Sequence, residues 1–171
     1  MRGSRGTVGV LVAAGSWILG TACSGVPMPP ESELPFEARI DGEPFAASGT
    51  DFSTYHGGAS LLITGIRPTG TGTYRQVSFQ LESYHGPGTY TLSAPDSGRG
   101  AFGYVVDQKD DFTMLGSWMT TAATPGQVIV TEFYPAVRTI KGTFRFVARS
   151  DSGQSLSVTE GRFNGNYFVD P

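Results

Sequence analysis

Two histidines are the only imidazoles in this 171-residue chain, and each sits in the same triplet, Tyr55-His56-Gly57 and Tyr84-His85-Gly86. Brought together in space, His56 and His85 would bind zinc or copper, with Asp51 or Glu82 as a third ligand. Their separation of 29 residues has no metal-ligand signature, and a half-exposed histidine at a strand-to-turn junction accounts equally for each. Asp107-Gln108-Lys109-Asp110-Asp111 offers hard oxygens to calcium. It lacks the alternating ligands and the bend glycine of a calcium loop, and Lys109 opposes a cation, so a solvated loop is the simpler reading. No G-x-S-x-G elbow is present for a serine nucleophile. Paired carboxylates for glycoside hydrolysis depend on folded geometry, and nothing in the sequence nominates a pair. Trp118 and Tyr134 each adjoin a polar, turn-prone stretch. On an exposed rim they would stack on sugar rings or anchor a protein partner, whereas inside they are core. No cofactor is expected.

The single cysteine speaks to address rather than to catalysis. Arg2 and Arg5 precede a mostly apolar stretch from Thr7 to Leu19, and small residues Gly20, Thr21 and Ala22 lead into Cys23. That is the charged-apolar-small plan of a secretory signal, too short to span a bilayer, which takes about 20 apolar residues. Leu19-Gly20-Thr21-Ala22-Cys23 resembles a bacterial lipobox, although Gly20 stands where a large aliphatic residue is usual. The expectation is lipid attachment at Cys23, with an outer-membrane address favoured because Ser24 is not an aspartate. An ordinary cut near Ala22, giving a secreted or soluble periplasmic chain, is the alternative. Two or more acyl chains hold a protein durably, at about 0.8 kcal/mol per buried methylene.

This divides the chain into a signal (1–22), a lipid-anchor cysteine with stalk (23–35) and a domain (36–171). Ser24 to Pro35 holds Pro27, Pro29, Pro30 and Pro35, and twelve residues of extended polyproline character reach about 35–40 Å. The whole chain has 12 Lys+Arg and 15 Asp+Glu. Loss of Arg2 and Arg5 leaves 10 against 15, a net charge of −5. An acidic domain without a Lys/Arg cluster is a poor partner for nucleic acid. The expected partners are the membrane, through the lipid, and an unknown protein or carbohydrate ligand.

Stepping along the chain from Phe36, apolar side chains recur with period two between turn residues. Ile140, Gly142, Phe144, Phe146 and Ala148 fall on one face, and Thr139, Lys141, Thr143, Arg145 and Arg149 on the other, as in a sheet with one face in the core. Val77, Phe79 and Leu81 alternate with polar neighbours in the same way. Phe36, Ala38 and Ile40 form a first strand, Asp41-Gly42 a hairpin turn, and Phe45 and Ala47 the return. Further strands are expected at 59–66, 88–93, 101–106, 114–121, 127–134 and 155–163, the last with an extension toward Val169. A bulge at Glu160-Gly161 would keep Glu160 out of the core and turn Phe163 in. The fold class is all-β, an antiparallel β-sandwich or barrel-like sheet of about nine strands.

Phe36-Glu37-Ala38-Arg39-Ile40-Asp41-Gly42, then Gly88-Thr89-Tyr90-Thr91-Leu92, then Ile140-Lys141-Gly142-Thr143-Phe144-Arg145-Phe146 and Val158-Thr159-Glu160-Gly161-Arg162-Phe163 occur in that order. Together they resemble a domain-of-unknown-function family of bacterial envelope lipoproteins. The resemblance implies an exported β-rich domain and carries no catalytic residue. The functional expectation is a lipid-anchored envelope protein that binds or scaffolds. The alternatives are a periplasmic or surface polysaccharide hydrolase and a metal-binding module.

Overall fold

The computed structural model describes residues 34–94 and 100–169. Cys23, the signal and all but the last two residues of the stalk lie outside the described residues. Twelve strands follow in order: β1 Phe36–Ile40, β2 Glu43–Ala47, β3 Phe52–Gly57, β4 Ser60–Gly70, β5 Thr73–Leu81, β6 Gly88–Leu92, β7 Phe102–Lys109, β8 Met114–Met119, β9 Gly126–Tyr134, β10 Thr139–Arg149, β11 Ser155–Asn166 and β12 Phe168–Val169. They join in one sheet ordered β12-β3-β4-β5-β7-β8-β10-β11-β1-β2, with β9 on β10 and β6 on β9. All pairings are antiparallel except β12 with β3.

The sheet folds over on itself without closing, so the sandwich-like form is realised rather than the barrel. Phe79 of β5 lies 5.1 Å from Phe144 of β10 and 5.5 Å from Phe163 of β11, ring centre to ring centre. Phe36 of β1 bridges to Phe52 of β3 and Phe144. These contacts between the two halves make one core that also contains Leu61, Ile63, Val77, Leu92, Val105 and Ile140. Each such side chain contributes about 1.5–3 kcal/mol when fully buried.

Local residue chemistry fixes the register. Asp41 and Gly42 both have positive φ, 50° and 85°, the conformation that a two-residue hairpin turn requires. The expected bulge is present. Phe144 pairs with Gly161 and Phe146 with Val158, so Thr159 and Glu160 together oppose Arg145. Glu160 takes φ 52° and is exposed, while Val158, Gly161 and Phe163 are buried.

The two late motifs dock reciprocally. Gly142 pairs with Phe163 and Gly161 with Phe144 across the same ladder. A Cβ on Gly142 would overlap the Phe163 ring and the Ile129 carbonyl, and one on Gly161 would overlap Phe144. Each phenylalanine therefore occupies the space that the opposing glycine leaves, and close packing allows no other side chain there.

The sequence pattern does not mark β3. Its inward positions are Phe52, Thr54 and His56, so polar residues interrupt the apolar alternation. The extension expected from Phe163 toward Val169 is present in two parts, the end of β11 to Asn166 and β12, which pairs with β3 instead of continuing β11's ladder.

Candidate functional site

The two ends of the sandwich differ in chemistry. At the end where β3 runs into β4, half-buried His56 packs edge-on against Tyr84, Phe133 and Tyr167, with ring centres 5.4–5.5 Å apart. Tyr84 continues to Tyr90 at 5.7 Å, and Tyr90 meets His85 at 5.3 Å. The two histidines thus share one aromatic assembly. His85 is exposed and its Nδ1 lies 2.9 Å from the Ser83 carbonyl. Among the described residues no group of three His, Cys, Asp or Glu is placed to hold a metal ion.

Tyr90 donates its hydroxyl to the Gly86 carbonyl at 2.6 Å. The Tyr84 hydroxyl is buried with no hydrogen-bond partner. Burial, with smaller contributions from Tyr90 and Tyr167, pushes its pKa well above the ordinary phenol value. Around this assembly Tyr134 is 52% exposed and Phe168 68%. Tyr134 therefore stands on a rim. Trp118 faces the other way: it opposes buried Val105, packs half-buried against the core, and its ring lies over Gly116.

The opposite end carries charge. Arg75 and Asp107, neighbours across β5 and β7, form a two-pronged ion pair with both N–H···O distances 2.6 Å. The Asp107 hydrogen bond is the main cause of a raised Arg75 pKa. Arg67 donates to the Pro44 carbonyl nearby. This layer covers the core where the β4–β5 and β7–β8 hairpins begin.

On the outward face at the same end, a cleft of about 450 Å³ crosses β4, β5 and β7 and is lined by Asp51, Tyr74, Gln76, Gln108, Asp110 and Phe112 among others. Sheet pairing explains the gathering. Gln76 opposes Ile66, Tyr74 opposes Gln108, and Asp51 immediately precedes β3. Asp110 is brought in by the β7–β8 hairpin, whose Asp110 N–H donates to the Gly72 carbonyl at 3.1 Å. Small-molecule sites run about 300–1,000 Å³, so this one has the size for a small ligand.

Phe112 is the distinctive member. It is 79% exposed and has φ 65°, in a left-handed conformation that costs a bulky residue about 1–2 kcal/mol. Its N–H donates to the Lys109 carbonyl, and the Lys109 N–H to the Thr113 carbonyl, both at 2.9 Å. This three-residue hairpin ordinarily places glycine at that corner.

The acidic run, for which a solvated loop is a simpler reading than a calcium loop, begins inside β7, and its carboxylates divide three ways. Asp107 pairs with Arg75, and Asp110 enters the cleft. Asp111 accepts the Thr113 N–H at 3.0 Å, which holds its carboxyl below the usual range. No sequence signal gathers Asp51, Tyr74 and Phe112, because strand pairing alone makes them neighbours.

A family described as a domain of unknown function, DUF6252, matches residues 33–165. The chain belongs to the DUF6252 family. Its matched span contains every described residue of the cleft and the Gly142/Phe163 and Phe144/Gly161 pairs. No curated protein matches the chain, and no solved structure matches it.

Proposed function

We propose that this DUF6252 protein is a lipid-anchored envelope domain that binds a small ligand in the Asp51–Phe112 cleft. The observation that carries binding is the cleft itself, rimmed by an exposed aromatic held at a strained corner. Strain of this kind persists where the surrounding structure gains from it. Anchoring rests on the order signal, Cys23, proline-rich stalk.

Two measurements test the proposal. Intact mass of the membrane fraction should show the chain cleaved before Cys23 and heavier by its acyl chains, with Cys23→Ala released to the soluble fraction. An unacylated wild-type chain would refute anchoring. A thermal-shift panel of sugars, amines, amino acids and simple ions should contain a solute that raises the Tm of the wild type but not of Tyr74→Ala. A panel with no such solute would refute binding at the cleft.

One observation favours a second reading, hydrolysis of polysaccharide: Asp51 and Asp110 line the same cleft, and glycosidases work with two facing carboxyl groups. Release of reducing ends, abolished by Asp51→Asn or Asp110→Asn, would establish it. No release from any polysaccharide offered leaves binding as the function.

A further inference from the structure

Resting on the binding role just proposed, we infer that the ligand of the cleft is a small soluble organic cation, a molecule carrying an ammonium group. Three features of the cleft lead there. Its lining holds two carboxylates, Asp51 and Asp110, and no Lys or Arg. Among the described residues neither carboxylate side chain has an ion-pair or hydrogen-bond partner, and the Arg75 guanidinium bonds Asp107 through Nε and Nη2 rather than either of them. Lys109, between the lining residues Gln108 and Asp110, does not line the cleft and pairs with neither carboxylate, so both carboxylates remain for an occupant of opposite sign.

Hydrogen bonding narrows the chemistry. Gln76 uses its Nε2 on Ser78 Oγ at 2.9 Å and on Tyr104 OH at 3.3 Å. What Gln76 has left for a ligand is its carbonyl oxygen Oε1, an acceptor. With the two carboxylates, the cleft is rich in acceptors and fits a ligand that donates. A protonated ammonium donates and accepts nothing; a quaternary one such as choline meets the same acceptors with its charge and donates only through its hydroxyl.

The aromatic members distinguish an organic cation from a metal ion. Tyr74 and Phe112 line the same cleft, and ring faces attract ammonium groups, most strongly those carrying apolar substituents. A calcium site would need six to eight oxygens at close range, whereas this cleft pairs fewer charged oxygens with two rings. A neutral sugar would stack on the rings equally well but would leave both carboxylate charges unmatched.

Isothermal titration calorimetry of the purified full chain tests this with three probes: choline, its uncharged isostere 3,3-dimethyl-1-butanol, and calcium chloride. Choline is expected to bind about tenfold more tightly than the isostere, the equivalent of a single well-placed charge pair. Asp51→Asn and Asp110→Asn should each weaken choline severalfold. Phe112→Gly, which keeps the hairpin geometry, should weaken it about five- to tenfold. Equal affinity for choline and the isostere overturns the inference and leaves a neutral-ligand cleft. Calcium binding that depends on both aspartates and is indifferent to Phe112→Gly overturns it in favour of a metal. Failure of choline to bind, in a chain whose Tm some neutral solute raises through Tyr74, removes the cation while the binding role stands. Failure of choline in a chain that no solute stabilises removes both.

Discussion

Replacing Phe112 by glycine and by alanine should change stability in an order opposite to that at ordinary positions. At most sites alanine is the more stable of the two by about 0.5–1 kcal/mol, because glycine leaves the unfolded chain more freedom. Phe112 has φ 65°, where any Cβ meets the following carbonyl at a cost of about 1–2 kcal/mol. Alanine retains that cost and glycine escapes it. Subtracting the entropy from the strain leaves Phe112→Gly more stable than Phe112→Ala by about 0.8 kcal/mol. Relative to wild type, both lose the small contact of a side chain that is 79% exposed, about 0.5 kcal/mol. Glycine should therefore fall close to wild type or slightly above it, and alanine slightly below. Urea denaturation should show unchanged m-values and a higher midpoint for glycine, with Tm values about 3 °C apart. Alanine equal to or more stable than glycine would refute the left-handed corner, and with it the claim that an aromatic is kept there against a backbone cost.

Other consequences follow from the core and its ends. Gly142→Ala and Gly161→Ala each drive a methyl group into an opposing phenylalanine and a carbonyl oxygen, and each should cost about 3 kcal/mol or more by urea unfolding, while Gly153→Ala, in open space but at φ 83°, should cost only the backbone strain of about 1–2 kcal/mol. Tyr84→Phe removes a buried hydroxyl without a partner and should stabilise the domain by about 1 kcal/mol at neutral pH. Because burial raises the Tyr84 pKa, the folded state keeps a proton that the unfolded chain gives up. Stability is then complete below about pH 10 and declines as pH rises past it. Tyr84→Phe should flatten this alkaline decline in circular-dichroism titrations, and an identical decline in the variant would contradict the burial. Asp107→Ala strands the half-buried Arg75 guanidinium, so it should destabilise more than Glu160→Ala, which breaks the exposed pair with Arg39.

Much of the fold was legible because alternation is a direct consequence of strand geometry. Ile140 to Ala148, Val77 to Leu81 and the Asp41-Gly42 turn need only period two and turn chemistry. The Glu160 bulge follows from a single charged residue landing in an apolar register. β3 was not legible, since Thr54 and His56 face inward and mimic a polar loop. Glycines read as turn markers also carry a second use: Gly142 and Gly161 lie inside strands as receptacles for Phe163 and Phe144. The aromatic assembly around His56 escaped for a similar reason, because its rings come from separate strands.

The cleft was illegible for a topological reason. Asp51 and Phe112 stand 61 positions apart, and only the β3-β4-β5-β7 order brings them together. Of the residues singled out by sequence, Tyr134 stands on the rim of the aromatic end, whereas Trp118 packs against the core. The one carboxylate of the acidic run that lines the cleft, Asp110, is indistinguishable in sequence from its neighbours Asp107 and Asp111.

Binding at the cleft is tested most directly by amide chemical-shift mapping of the ¹⁵N-labelled chain titrated with choline. Shifts should concentrate at Asp51, in 66–76 and in 108–113, and should disappear in the Asp51→Asn, Asp110→Asn double variant. Shifts gathered instead around His56, Tyr134 and Phe168, or no shifts at saturating choline, would contradict the assignment.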